Sequence, residues 1–285
     1  MGLIKNEVAV MFSGGIDSLL SSVLLLKENK YDKVHLVTFD KGYLEFGVKN
    51  NIPNVERLKT AFGADRVTHQ IVDIKKLHKK ISVNSFFKER GKYNTEIRWC
   101  VGCRLSMNIG GLVFALENDL VGYADGSNRE QIPSETNLTG TAENYPRIVN
   151  GSKSLAKDYA VRFLTPTYEY GSREERRIKL TELGFDIDYL SRDESKKLSG
   201  LVTKGLGKRS QPMCFSGWMI HWKRNLFGKP VEQDEPATVD YVQRKQAGVV
   251  RDVIRDYFAK KGVSIDELVK ARQADPLGKF EPTFV

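Results

Sequence analysis

Apolar and polar positions along this chain switch repeatedly between two spacings. Residues 7–12, EVAVMF, form a short β-prone apolar run, followed by a glycine pair and then the leucine-rich stretch DSLLSSVLLLKENK. This order predicts strand, tight turn and helix. KVHLVTFD, ending at Asp40, predicts a second strand, and DRVTHQIVDI a third after a helical segment around PNVERLKTAFGA. DLVGYA predicts a fourth strand ending at Asp125, and VRFLTP a fifth, reached through a long polar loop and a helix. Ser172, with acids at Glu174 and Glu175, marks a helix start. Strands alternating with helices imply a parallel sheet with right-handed crossovers. The expected class is therefore α/β, a parallel twisted sheet with helices on both faces.

The pattern loosens from Leu183 through the Gly- and Lys-rich VTKGLGKRS. Beyond Pro236 it tightens again into the amphipathic VDYVQRKQAGVVRDVIRDYFAKK and the shorter SIDELVKARQ. These predict a C-terminal helical appendage, residues 231–285, following a main domain over 1–230. A chain of 285 residues is long enough for such a core plus a modest addition.

With 40% hydrophobic and 28% charged residues, the composition is that of an ordinary globular protein without low-complexity tracts. The opening MGLIKNEVAVMFSGG is too short in its apolar run, and too soon interrupted by Glu7, for a secretory signal or membrane span. A cytoplasmic location with no membrane contact is expected. The formal net charge of +9 favours polyanions such as RNA as well as nucleotides. Basic residues cluster at Lys75, Lys76, Lys79, Lys80, Lys88 and Arg90, at Lys204, Lys208 and Arg209, and at Lys223, Arg224 and Lys229. Solvated helix faces account for any one cluster equally well.

Candidate chemistry concentrates first at Ser13-Gly14-Gly15-Ile16-Asp17-Ser18. A strand emptying through this turn into a helix points backbone N–H groups and the positive helix end at one place, where an anion can sit. Side chains at Gly14 and Gly15 would block phosphate oxygens from the backbone, and the Ser13 and Ser18 hydroxyls can donate hydrogen bonds. Asp17 would hold Mg²⁺ on the phosphates or cap loop N–H groups. The plain alternative is a glycine turn that joins strand to helix. No Gly-x-x-x-x-Gly-Lys-Ser/Thr occurs, which disfavours a Walker ATPase.

On these residues the chain resembles the PP-loop ATP pyrophosphatase superfamily over residues 5–215. The resemblance implies a Rossmann-like PP-loop fold and cleavage of ATP between its α and β phosphates, with AMP activating a carbonyl or carboxyl oxygen. It further implies adenine against Thr38, Phe39 and Asp40, and α-phosphate and ribose beside Asp125-Gly126-Ser127-Asn128. The crevice at the carboxyl ends of parallel strands is where a ligand should bind on physical grounds.

All three cysteines fall into one pattern, Cys100-x-x-Cys103 at an expected helix start and Cys214 after a proline. A helix amino terminus lowers thiol pKa and favours thiolate, the nucleophile and metal ligand. The spacing resembles the sulfur-inserting branch, tRNA thiocytidine and thiouridine synthases, where three such thiolates hold a 4Fe-4S cluster whose fourth iron site can present sulfide. A persulfide relay between Cys214 and Cys100 or Cys103, a zinc site completed by His221, and plain buried cysteines stay open as alternatives. His221, between Trp218 and Trp222, also reads as a packing or RNA-stacking neighbour. His35 and His69 read as core or sheet-face residues.

VRFLTPTYEYGSREERRIKLTELGFD and QPMC also resemble the sulfur transferase that matures the lactate racemase nickel cofactor. Arg98-Trp99-Cys100 resembles phosphoadenylyl-sulfate reductase relatives, but the terminal catalytic cysteine of that group is absent. The four-cysteine zinc cluster of cyano-deazaguanine synthases is absent as well. The resemblance thus implies an ATP-dependent sulfurtransferase with Asp17, Cys100, Cys103 and Cys214 as catalytic residues. Its partners would be ATP with Mg²⁺, a tRNA or small carbonyl-bearing acceptor and a sulfide or persulfide donor, with a homodimer allowed. The rival reading is an adenylating ligase or amidotransferase-like enzyme with structural zinc.

Overall fold

The computed structural model describes residues 3–43, 45–132, 142–185, 212–215 and 235–284. Strands β1 (Lys5–Met11), β2 (Lys33–Asp40), β4 (Val67–Asp73), β5 (Leu120–Ala124) and β6 (Arg162–Leu164) form one parallel sheet in the order β4-β2-β1-β5-β6. A separate antiparallel ribbon pairs β3 (Glu45–Phe46) with β7 (Met213–Cys214), setting Cys214 opposite Glu45.

Alternate residues of the central strands enter different cores, as expected where both sheet faces are covered. Val8, Val10, Val34 and Leu36 join a cluster with Leu19, Leu20, Val23 and Leu26 of helix α1 (Ile16–Lys27), Val55 and Leu58 of α2 (Ile52–Phe62) and Leu180 of α6 (Arg173–Glu182). Ala9, Met11, Val37 and Phe39 face the other way, into a cluster with Ile81 of α3 (Lys75–Ile81), Leu105, Ile109 and Leu112 of α4 (Gly102–Glu117), and Ile148 and Leu155 of α5 (Pro146–Asp158). Gly111 lets α4 approach the sheet closely, since a Cβ there would lie 2.7 Å from the Tyr123 ring.

Beyond the sheet, α7 (Glu235–Lys245) runs through a π turn, Gln246–Val250, into α8 (Arg251–Ala259), and α9 (Ile265–Ala274) follows. Tyr241, Val250, Ile254, Phe258, Ile265 and Leu268 enter the α4 cluster, so these helices bury their apolar face on the main core. Residues 97–117 form the one described segment long and apolar enough to cross a membrane, and it is the core helix packed on the sheet.

Two sequence expectations land closely. Ser172 caps α6 through a reciprocal box with Glu175, and the turn after β1 opens α1. The chain leaves β1 toward β2 and β4 and later crosses to β5 on the other side. The carboxyl ends of β1 and β5 therefore flank the point where the direction reverses, the usual place for a ligand crevice in such sheets.

Candidate functional site

The loop after β1 is tied from within and from below. Ser13 Oγ lies 3.1 Å from Ser18 Oγ, the Gly15 N–H donates to Ser13 Oγ at 3.3 Å, and Ser18 Oγ donates to Gly15 O at 3.2 Å. Gly14 adopts φ +79°, the left-handed region that a side chain disfavours. Asn54 of α2 donates to Gly14 O at 2.9 Å, and the neighbouring Asn51 donates to Phe12 O at 3.2 Å and to Thr38 Oγ1 at 2.6 Å. Both asparagines are buried and hold the loop in shape from beneath. Gly15 caps α1 without any side-chain bond, so no side chain competes there for the first N–H groups of the helix.

Asp17 neither caps that loop nor stands free. Its carboxylate pairs with Arg176 Nε at 2.7 Å and accepts from Gln131 Nε2 at 3.4 Å. Arg176, on α6 and only 1% exposed, also reaches Glu130 at 2.6 Å and donates to Gly171 O at 2.6 Å. Burial raises the Asp17 pKa, and Arg176 pulls it the other way. The capping expectation is therefore corrected: a cation from another element has taken this carboxylate. A carboxylate so committed does not fit a free Mg²⁺ ligand.

Across the crevice, Asp125 at the end of β5 is buried and accepts from the Ser127 N–H and from Ser127 Oγ, each at 2.9 Å. Its backbone carbonyl accepts from Ser21 Oγ of α1 at 2.7 Å. Gly126 presses on the loop after β1: a Cβ there would sit 2.9 Å from both Asp17 Cβ and Ser18 N. Arg104, the residue after Cys103, forms an ion pair with Asp125 and donates to Ser127 Oγ at 2.9 Å. One guanidinium thereby joins the cysteine-bearing helix to the loop that packs on Asp17 and Ser18.

The cysteines sit differently from the helix-start expectation. A π turn, Ile97–Val101, runs into α4, and Asn94 Oδ1 accepts from the Ile97 N–H at 2.9 Å upstream of it. Cys100 thus lies within a helical run instead of at its amino terminus. The expected drop in thiol pKa is reversed. Burial pushes Cys103 up to about 11 against the pull of Lys41, with Cys214, Glu45 and Glu143 adding to the rise. Burial likewise pushes Cys100 well up, reinforced by Glu143, Glu96, Cys103 and Cys214. The three thiols therefore feel one another's charge.

Lys41 is the cation among them. Burial disfavours its charge, yet Cys103, Glu45 and Cys214 outweigh burial and leave its pKa raised. It pairs with Glu45 at 2.7 Å. His78, pushed down to about 4 by burial and then by Lys41, stays neutral and contacts Ser106 Oγ at 3.2 Å. Among the described residues no three His, Cys, Asp or Glu side chains are grouped so as to hold a metal. As placed, the thiols do not form the tight single-ion site that zinc needs.

A thiol at about 11 is ionised to about one part in a thousand at pH 8. Cys103 should therefore react slowly with iodoacetamide there and faster as pH rises. Lys41→Met removes the pull toward thiolate, so labelling at a given pH should slow further. Peptide mass spectrometry reads the rate, and a wild-type rate in Lys41→Met would mean that this ammonium does not act on the thiol.

No protein family and no curated protein sequence matches this chain. Solved structures are similar to it, among them the following three. A 4-thiouridine synthetase in complex with RNA and bound ATP is 17% identical with a TM-score of 0.45, over 85% of this chain and 53% of that one. The U34-tRNA thiolase NcsA of Methanococcus maripaludis, with its [4Fe-4S] cluster, is 15% identical with a TM-score of 0.39, over 86% of this chain and 74% of that one. A predicted subunit of tRNA methyltransferase from Methanocaldococcus jannaschii is 17% identical with a TM-score of 0.34, over 73% and 95%. The parallel five-stranded sheet with helices on both faces is the α/β class expected from the sequence. This chain spans about half the length of the synthetase, and likeness this distant carries no activity across.

The end of β2 is more committed than the sequence suggests. Thr38 is buried, with Oγ1 donating to Phe12 O at 2.9 Å and meeting His69 Nε2 at 2.9 Å. The Phe39 ring lies over Gly110 in the core, and Asp40 pairs with Lys75 at 2.8 Å. His35 and His69 are sheet-face residues, His35 bridging Glu7 at 2.6 Å and Thr68 at 2.9 Å. His221, with Trp218 and Trp222, lies outside the described residues. Sequence reasoning missed Lys41, Asn54, Arg104 and Arg176. Of these only Arg104 had a local cue, its place directly after Cys103.

Proposed function

We propose that this protein is an ATP-dependent sulfurtransferase that adenylates an acceptor oxygen, that of a tRNA base, and replaces it with sulfur delivered at Cys100, Cys103 and Cys214. The observation that carries this reading is the Arg104 bridge, because it makes the thiol helix and the phosphate loop walls of one crevice. Adenylation and sulfur attack must meet at a single carbon, so the two halves have to be contiguous.

Ser13 to Ser18 hold the triphosphate and the carbonyl oxygen of the acceptor attacks the α-phosphorus, releasing pyrophosphate. Activation is needed because an amide-like oxygen leaves poorly whereas AMP leaves well. Cys100, Cys103 and Cys214 are the residues that would hold the 4Fe-4S cluster the family resemblance implies; the route through the chain's own thiols uses thiol-bound sulfur. A persulfide on Cys103 or Cys214 attacks the activated carbon and AMP departs with the former carbonyl oxygen. The other thiol then attacks the cysteine sulfur of the new disulfide link, freeing the thiocarbonyl and leaving a Cys–Cys disulfide that a dithiol reductant resets.

Incubation with ATP, tRNA, a persulfide donor and dithiol reductant should yield AMP, pyrophosphate and a thiolated nucleoside, read by nucleotide chromatography and nucleoside mass spectrometry. ADP as the sole product would remove the adenylation, and pyrophosphate without thiolation would remove the sulfur step. Iron and acid-labile sulfide in anaerobically purified protein would replace the persulfide route with a cluster.

A further inference from the structure

Phe87 is 77% exposed, in the segment that joins α3 to the cysteine-bearing helix. A lone exposed apolar residue is ordinary. This one rests on a built support. Phe86 packs edge-on beneath it with ring centroids 5.2 Å apart, and Phe86 is itself held by Trp99 at 5.5 Å and by the Arg98 guanidinium over its ring at 4.4 Å. Arg98 is buried and donates to the carbonyls of Phe86 and Tyr93, clamping both ends of the segment. Trp99 also takes His78 of α3 on its edge at 5.9 Å, which joins α3 to the same support, and Cys100 follows Trp99 in the chain.

The surroundings are cationic. Lys76, Lys79, Lys88 and Arg90 are exposed, and among the described residues none has an ion-pair partner. The one acid between Val83 and Asn94, Glu89, is already paired with Lys245 at 2.9 Å. An aromatic face rigidly presented amid unpaired cations is complementary to a base flanked by phosphates.

We propose that this ridge docks an unpaired stretch of RNA, with Phe87 stacking on a base and Lys88 and Arg90 meeting the adjoining phosphates. The ridge rests on Trp99, which directly precedes Cys100 in the chain. The inference rests on the RNA-acceptor reading above and deepens it by naming the surface.

Fluorescence anisotropy with labelled tRNA at about 50 mM salt tests it, salt being decisive for binding through phosphates. Phe87→Ala should weaken binding about tenfold, and Phe87→Trp should retain it. Lys88→Glu combined with Arg90→Glu should weaken binding and flatten the salt slope by about one for each phosphate no longer engaged. Lys260→Glu combined with Lys270→Glu, at exposed positions away from the ridge, controls for the same change in net charge and should cost little. All of these side chains are exposed, so thermal melts should match wild type. If wild type binds tRNA and the Phe87 and Lys88/Arg90 variants bind equally well, the surface is overturned while the RNA reading stands. If wild type itself fails to bind tRNA at low salt, both fall.

Discussion

Asp17→Asn should cut ATP-dependent release of AMP and pyrophosphate by about 100-fold or more, the scale of effect that follows when a reacting group is displaced by about an ångström. The side chain keeps its shape but loses the charge that faces Arg176 at 2.7 Å. Arg176 is buried and then, among the described residues, retains Glu130 as its charged partner, and Glu130 is half-exposed. The guanidinium would pull toward Glu130 and loosen the bond between α6 and the start of α1, where the phosphate loop ends. Leaving a buried charge partly uncompensated costs about 1 to 3 kcal/mol. Nucleotide chromatography reads the first effect, and a melting temperature lowered by several degrees the second. A variant that turns over at the wild-type rate would show that the Asp17–Arg176 pair has no part in holding ATP.

Gly126→Ala is expected to abolish measurable ATP binding while the sheet survives. The added Cβ would lie 2.9 Å from Ser18 N and 2.9 Å from Asp17 Cβ, neither of which is the far end of a flexible side chain. The loop must therefore move away from β5, and overpacking of this kind costs about 1 to 3 kcal/mol. Titration calorimetry with a non-hydrolysable ATP analogue reads the loss directly. Gly151→Ala, in α5 with no closer neighbour than Gln246 at 3.8 Å, is the control. It should bind normally and gain about 0.5 to 1 kcal/mol of helix stability. Equal nucleotide affinity in both variants would mean that the two loops do not need their close approach.

The two halves of this site differed in how far they could be read from the chain. Ser13 to Ser18 was legible because everything that shapes it is local: an apolar strand, a glycine with positive φ and a helix arrive within a few residues of one another. The reciprocal cap of Ser172 and Glu175 was legible for the same reason. Thiol chemistry was not, because a pKa belongs to an environment. The helix-start argument gave the wrong direction for Cys100 once an upstream helical run and burial were in place. Lys41 becomes a partner of Cys103 and Cys214 only after the loop beyond β2 meets the chain around Cys214.

By itself the sequence determined the α/β class, the succession of sheet strands and the glycine turn from β1 into α1, since the period of apolar positions and the chemistry of glycine and capping serine act over a turn or two of chain. Only the tertiary structure decided that Asp17 answers to Arg176, that Asn54 holds Gly14, and that Arg104 reaches Asp125 and Ser127. It also decided that Cys214 lies opposite Glu45 in a two-residue ribbon. Such pairings carry no periodic trace. They arise where packing of the two apolar faces of the sheet brings distant segments together, and a charge or thiol then takes its properties from whatever burial and partners that packing leaves it.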